Sequence, residues 1–282
     1  MSPTGFMEQL RRPGPLVAVE LRPPRSGLDP AESMDVWIDM HHTLQALTRA
    51  GRPVLITDNA VAVEEEENLA HLTANLPADV TPRGIAPFLT CKHTLEYCLL
   101  YASRAASHGF EALTVLGGDR FGGPPRCVPH AYELRQRIRE AVPSLKLGGW
   151  INPHRDIEQQ VRFALDPRFT ADFILTQVVS HHSLDRVEAV QEGLRAAGVD
   201  LPVVWGVFLY RSANPRTLAR LNEYFPVPAE ALTDEFATGV GAEELAGRTV
   251  AALRGVGADK VYVSNLGFRG AERTLKKVLS QV

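Results

Sequence analysis

The stretch that decides the fold is Glu111–Gly123, EALTVLGGDRFGG. Its apolar run Leu113-Thr114-Val115-Leu116 stops at Gly117-Gly118-Asp119-Arg120. A run of this length that ends at glycines reads as a strand buried on both faces, as in a parallel sheet. The glycines let backbone approach a ligand, and Asp119 stands where the strand leaves the core. Other strand-like runs also close on a polar residue of chemical use: Glu20, Thr57, Asn152, Gln177 and Asn265.

Working outward, strand-like and helix-like segments alternate. The strands are read at Leu16–Leu21, Val54–Thr57, Ile85–Thr90, Leu113–Leu116, Leu145–Trp150, Phe173–Val178, Val203–Phe208 and Lys260–Ser264. Helical spacing is read over Ser33–Ala50, Glu64–Leu76, His93–His108, Pro129–Ala141, Asp156–Leu165, Leu184–Ala197, Asn214–Tyr224, Ala229–Gly255 and Gly270–Leu279. Eight βα units in a chain of 282 residues are what a (β/α)8 (TIM) barrel requires. A doubly wound open sheet is the rival, but no glycine-rich dinucleotide turn follows the first strand. With no linker, repeat or low-complexity stretch, residues 1–282 read as one catalytic domain.

Composition narrows the partners. The chain is 45% hydrophobic and 22% charged, with 30 basic and 33 acidic residues and a net charge of −3. That balance gives no footprint for nucleic acid or an anionic membrane. Cys91, Cys98 and Cys127 match neither a disulfide framework nor a zinc pattern. The start lacks a signal-peptide core, and no run is long enough to span a membrane. The expectation is a cytoplasmic protein.

Glu20 alternates in phase with Ala18, so both face the barrel interior if either does. A carboxylate at an apolar barrel mouth is costly unless used or paired, and desolvation raises its pKa towards that of a working acid. The competing reading is a salt bridge to Arg22, Arg25 or another rim arginine. Asp119 is open between pairing with a cationic intermediate and capping its own turn. Gln177 is open between reading a planar ligand through its amide and satisfying itself in the core. Asn152, Pro153 and His154 follow the fifth strand, where a lone histidine is more often structural.

His181-His182 invites a metal reading. Adjacent strand residues point to opposite faces, however, and the pair lacks the i, i+4 spacing of a helical metal site. His41-His42 fails in the same way, so no metal is expected. Glu64–Glu67 reads as a solvated helix N-terminus. A Schiff-base lysine is disfavoured, because Lys146 and Lys260 stand at strand starts, the wrong end of a barrel.

Taken in order, the strand ends resemble the catalytic barrel of the methylenetetrahydrofolate reductase family over nearly the whole length. Val19-Glu20-Leu21-Arg22-Pro23-Pro24 resembles its first-strand motif, and Thr57 stands at its second-strand threonine. Phe88-Leu89-Thr90-Cys91 is similar to His-Leu-Thr-Cys, and Leu116-Gly117-Gly118-Asp119 to Leu-Arg-Gly-Asp. Thr176-Gln177 matches a Thr-Gln pair, and Ser264-Asn265-Leu266 falls where Thr-Leu-Asn stands. The resemblance implies reduction of 5,10-methylenetetrahydrofolate to 5-methyltetrahydrofolate with NAD(P)H, in the one-carbon metabolism that serves methionine biosynthesis. It makes Glu20 the general acid that protonates N10, and Asp119 the group that stabilises the resulting iminium and holds the pterin with Gln177. Asn265 joins the substrate contacts.

In the family, hydride passes through a bound FAD. By resemblance the cofactor positions here are Thr57, Phe88, Gly117, Gly118, Trp150, His154 and Arg162. Several depart from the pattern: Gly117 replaces an arginine, Phe88 replaces a histidine, and the basic cluster after the fifth strand is thinned to Arg155 and Arg162. Three expectations follow: an FAD-dependent reductase with rearranged phosphate contacts, a flavin-free reductase taking hydride directly from NAD(P)H, or a non-catalytic folate-binding relative. The last extends to a subunit that needs a partner, and a homo-oligomer is an expectation open to all three.

Overall fold

The computed structural model describes residues 5–59, 64–76, 80–118 and 123–282. Its eight strands are β1 (Leu16–Leu21), β2 (Val54–Ile56), β3 (Ile85–Thr90), β4 (Ala112–Leu116), β5 (Lys146–Ile151), β6 (Phe173–Val179), β7 (Val203–Phe208) and β8 (Lys260–Ser264). All neighbours pair in parallel, in the order of the chain, and β8 closes on β1 with Leu16 opposite Lys260. This is a (β/α)8 barrel, as the strand count requires.

The alternation along β1 shows how sequence sorts into layers. Val17, Val19 and Leu21 join the large core between strands and surrounding helices, while Ala18 belongs to the cluster inside the barrel. Outside lie α2 (Pro30–Arg49), α3 (Asn68–Asn75), α4 (Leu95–Ser107), α5 (Ala131–Ala141), α6 (Ile157–Leu165) and α7 (Leu184–Ala196). They are followed by α8 (Pro215–Asn222), α9 (Ala229–Ala237), α10 (Ala242–Gly255) and α11 (Ala271–Leu279). In α2 the Asp29 side chain accepts from the Ala31 and Glu32 amides, and Pro30 opens the helix, a strong start signal. Trp37, Met40, Leu44 and Leu47 then bury one face at helical spacing.

The sequence reading leaves out α1 (Phe6–Arg11). Six residues are too short to show periodicity, yet Phe6, Met7 and Leu10 enter the inner cluster with Ala18, Leu55, Ala86 and Phe173. Phe6 meets Phe173 edge-on at 5.1 Å. Below it, Lys260 Nζ donates to the Arg12 carbonyl at 2.7 Å. The helix therefore closes the barrel at the strand starts, opposite the cavity described next. Among the described residues no helix is long and apolar enough to cross a membrane.

Two boundaries differ from expectation. The segment read as one helix over Ala229–Gly255 divides into α9 and α10, with Gly239 at φ 88°, a value that favours glycine. Glu64–Glu67 leads into α3 with Glu67 at its N-cap, but the run is not wholly solvated, since the Glu65 side chain is 2% exposed. The run lies along the loop after β1, with Ser26 N donating to the Glu64 carbonyl and Glu66 N to the Pro24 carbonyl. Glu66 accepts from Ser33 Oγ and Trp37 Nε1, and Glu67 caps α3 through the Ala70 amide.

Candidate active site

The C-terminal ends of the strands enclose a cavity of about 640 Å3, the position where barrel sites are built. Its floor is made by β1 and β8. Glu20, two residues after Ala18, lines it together with Tyr262 and Ser264. Burial pushes the Glu20 carboxyl up to about 7, against a hydrogen bond from Ser264 and the charge of Arg22, with the Glu65 charge adding to the rise. Such a group holds a proton near neutral pH and can release it to a ligand. The Tyr262 hydroxyl donates to the Thr176 carbonyl at 2.7 Å. Burial, reinforced by Glu20, raises its pKa far above the ordinary phenol value, so it stays neutral. The ring fits only because residue 206 is glycine, where a Cβ would stand 2.5 Å from the tyrosine oxygen.

Beside Glu20 stands a second carboxylate with the opposite environment. Glu65 is 2% exposed and receives Arg22 Nε at 3.0 Å on one oxygen and Thr57 Oγ1 at 2.8 Å on the other. Sequence reasoning placed Glu65 on a solvent face; only its loop, antiparallel to Arg25, brings it here. Next in the rim, Asp58 accepts the Thr90 amide at 2.6 Å and the His93 ring at 2.9 Å. Burial works against the His93 charge, but the Asp58 hydrogen bond and charge outweigh it and raise its pKa.

Gly117 and Gly118 border the cavity at the end of β4. Gly118 has φ +75°, and a Cβ there would lie 2.6 Å from Lys92 Cγ, so both conformation and space require glycine. The Arg126 guanidinium occupies the room Gly117 leaves open, 2.8 Å from where a Cβ would be, and donates to the Gly118 carbonyl at 2.6 Å. An arginine thus reaches the end of β4 from the following loop instead of from the strand. Asp119 lies outside the described residues.

Phe88 and Trp150 line one side. The opposite wall follows β7 and is aromatic at Phe208, Tyr210, Tyr224 and Phe225, with Leu221 beside them. Phe208 packs on Tyr210 at 5.0 Å and on Phe225 at 5.3 Å. The amphipathic segment Asn214–Tyr224 signals a helix but not that its apolar face would cover a cavity. Gln177 and Asn265 both border the cavity. Gln177 Oε1 accepts the Val178 amide at 3.0 Å, where the β6–β7 register shifts. Asn265, at φ 66°, donates from Nδ2 to the Leu209 carbonyl at 2.9 Å.

The structure brings Glu20, Thr57, Phe88, Gly117, Gly118, Trp150, Gln177 and Asn265 around one space. It does not bring His154 or Arg162 there. The His154 ring bonds the Val178 carbonyl through Nε2 at 2.8 Å, and Arg162 is exposed on α6. Both follow β5 in the sequence, but neither borders the cavity.

No family model and no curated protein matches the chain. Solved structures do share its fold. One is an uncharacterized protein from Clostridium thermocellum that binds two copies of 5-methyl-5,6,7,8-tetrahydrofolic acid, with TM-score 0.68, 14% identity and 97% of each chain covered. Another is a mandelate oxidase variant with 2-hydroxy-phenylacetamide, with TM-score 0.54 and 16% identity over 94% of this chain and 71% of that one. A mandelate oxidase variant carrying a C4a-OH-FMN adduct matches with the same score and identity, over 72% of its length. At these identities the likeness establishes the barrel.

Proposed function

We propose that the chain is a folate-dependent reductase that converts 5,10-methylenetetrahydrofolate to 5-methyltetrahydrofolate at the expense of NAD(P)H. The observation that carries this reading is Glu20: a carboxyl on the cavity floor whose pKa is pushed up to about 7. Protonation of the folate N10 by Glu20 breaks the N10–methylene bond and leaves an iminium at N5. Hydride from the nicotinamide then adds to the methylene carbon, giving the methyl product and NAD(P)+. Asp119 is assigned to the cation and the pterin by resemblance. Gln177, whose Oε1 accepts the Val178 amide and whose Nε2 lies 3.5 Å from the Tyr224 carbonyl, and Asn265, whose Nδ2 donates to the Leu209 carbonyl, would read the pterin edge with their remaining donor and acceptor sites. A neighbour of the same fold that binds 5-methyl-5,6,7,8-tetrahydrofolic acid supports a folate ligand, and the aromatic wall suits a flat ring system.

We further propose that hydride comes directly from the nicotinamide. An FAD pyrophosphate needs donors and positive charge. Of the positions that resemblance assigns to it after β5, His154 is committed to the Val178 carbonyl and Arg162 faces away on α6, so among the described residues this donor set does not fit FAD. The FMN-bearing mandelate oxidase of the same fold keeps a flavin route as the second reading. Purified protein incubated with FAD, desalted and scanned between about 350 and 500 nm separates them, because the chromophore belongs to the cofactor. A colourless protein that oxidises NADH only when methylenetetrahydrofolate is present supports direct transfer. A retained flavin band refutes it, and absence of folate-dependent NAD(P)H oxidation refutes the reductase.

A further inference from the structure

Outside the cavity, the turn after β6 carries a second cluster of chemical groups. His181 and His182 lie beyond the last strand residue, Val179, so the alternation that would send them to opposite faces no longer applies. Both rings turn to Glu235 of α9. His181 Nε2 is 3.0 Å from one carboxylate oxygen and His182 Nε2 is 3.0 Å from the other. One ligand atom from each residue lies within 4.8 Å of the others, the one such group of three among the described residues. Their side chains are 18%, 29% and 18% exposed, open to an ion yet sheltered from bulk water. His181 Nδ1 is 2.9 Å from the Thr249 hydroxyl, which orients the ring and leaves Nε2 as the ligand atom.

We propose that His181, His182 and Glu235 bind a divalent cation of the zinc class, with water completing four-coordination. Two imidazole nitrogens and one carboxylate are a common donor set for such ions and a poor one for calcium or magnesium. In the bound state Nδ1–H of His181 donates to Thr249, the usual arrangement behind a ligating histidine. Arg248 is the cation already present, 3.4 Å from Glu235. Its other nitrogen lies 2.6 Å from Glu244, so it retains a partner when a metal takes Glu235. Leu232 of α9 belongs to the cluster of Tyr210 and Phe225, and the ion therefore fastens the turn after β6 to the helix that backs the cavity wall.

The metal-free alternative is a pair of imidazoles hydrogen-bonded to one carboxylate, and the test separates the two. ZnCl2 is titrated calorimetrically into the EDTA-treated full chain, and CoCl2 is followed by visible absorption. The expected result is one equivalent bound and the intense absorption of four-coordinate cobalt. H182Q and E235Q, with circular dichroism unchanged, should abolish the stoichiometric phase, and T249V should weaken it about tenfold or more, as for other groups that orient a ligand. No saturable zinc binding by the wild type, or full binding by E235Q, overturns the proposal.

Discussion

Replacing Glu20 by glutamine separates a working acid from a structural carboxylate, because the two roles predict opposite pairs of effects. The folded-state pKa is pushed up from 4.5 to about 7. At pH 7 an unshifted glutamate would be about 0.3% protonated and the shifted one about half, roughly a 150-fold gain in competent acid. Glutamine keeps the shape and the Ser264 contact but cannot give up a proton in the same way, so kcat should fall about a hundredfold to ten-thousandfold. Wild-type kcat/KM should decline tenfold per pH unit above about 7, and the variant should lack that limb. Stability moves the other way. The folded state keeps a proton that the unfolded chain has released, so wild-type stability falls as pH rises from 4.5 through about 7. The full penalty above that pH is up to about 3 kcal/mol. At pH 8, E20Q should therefore melt about 5 °C higher than wild type, and at pH 4 the two should coincide. A variant that turns over like wild type, or one that melts lower at pH 8, refutes the reasoning.

Other expectations follow from the same structure. Glu65→Gln removes a negative charge that raises the Glu20 pKa while leaving Arg22, which lowers it; the alkaline limb of the rate profile should move to lower pH, at a stability cost of about 1–3 kcal/mol. Phe6→Ala leaves a hole under the barrel and should cost about 3–5 kcal/mol in urea unfolding without changing KM for the proposed folate substrate. Gly118→Ala, at φ +75° and against Lys92, should lower stability by at least about 1 kcal/mol in the same assay. By NMR, His93 should titrate above its ordinary value and His41, desolvated and near His71 and His42, below it. The His93 contribution to stability is complete below pH 6.5 and is lost as pH rises through its raised folded value.

The barrel is legible because each strand carries its own signal: a short apolar run, a polar terminus and a following helix. Alternation within Val17–Leu21 is likewise local, and with Ala18 it gives the side of the sheet on which Glu20 lies. What the sequence does not carry is pairing across loops. Glu65 is 43 residues from Arg22, and nothing in EEEE distinguishes the one buried member. Cys98 and Cys127 meet in the fold although the chain separates them, and burial together with the neighbouring thiol holds Cys98 far above its ordinary pKa. The contact of His154 with the Val178 carbonyl depends on how the turn after β5 meets β6, and the aromatic wall on how α8 lies over the strand ends. His181 and His182 mislead for the same reason, since the alternation rule fails two residues after the strand does.

The two carboxylates on the floor show how the fold assigns roles that residue type alone cannot. Arg22 stands close enough to Glu20 to lower its pKa, and a bidentate pair with it would leave an anion with no proton to give. Glu65 takes Arg22 Nε, with Thr57 on its second oxygen. Burial is the main cause of the raised Glu20 pKa; Arg22 still lowers it, and the Glu65 charge adds a smaller rise. Glu65 is bound by a guanidinium and a hydroxyl while burial favours the protonated form of Glu20, a separation of environments of the kind that distinguishes acid and base partners in a site. The loop carrying Glu65 thus adds to the raised pKa of Glu20, by less than burial at the barrel mouth does.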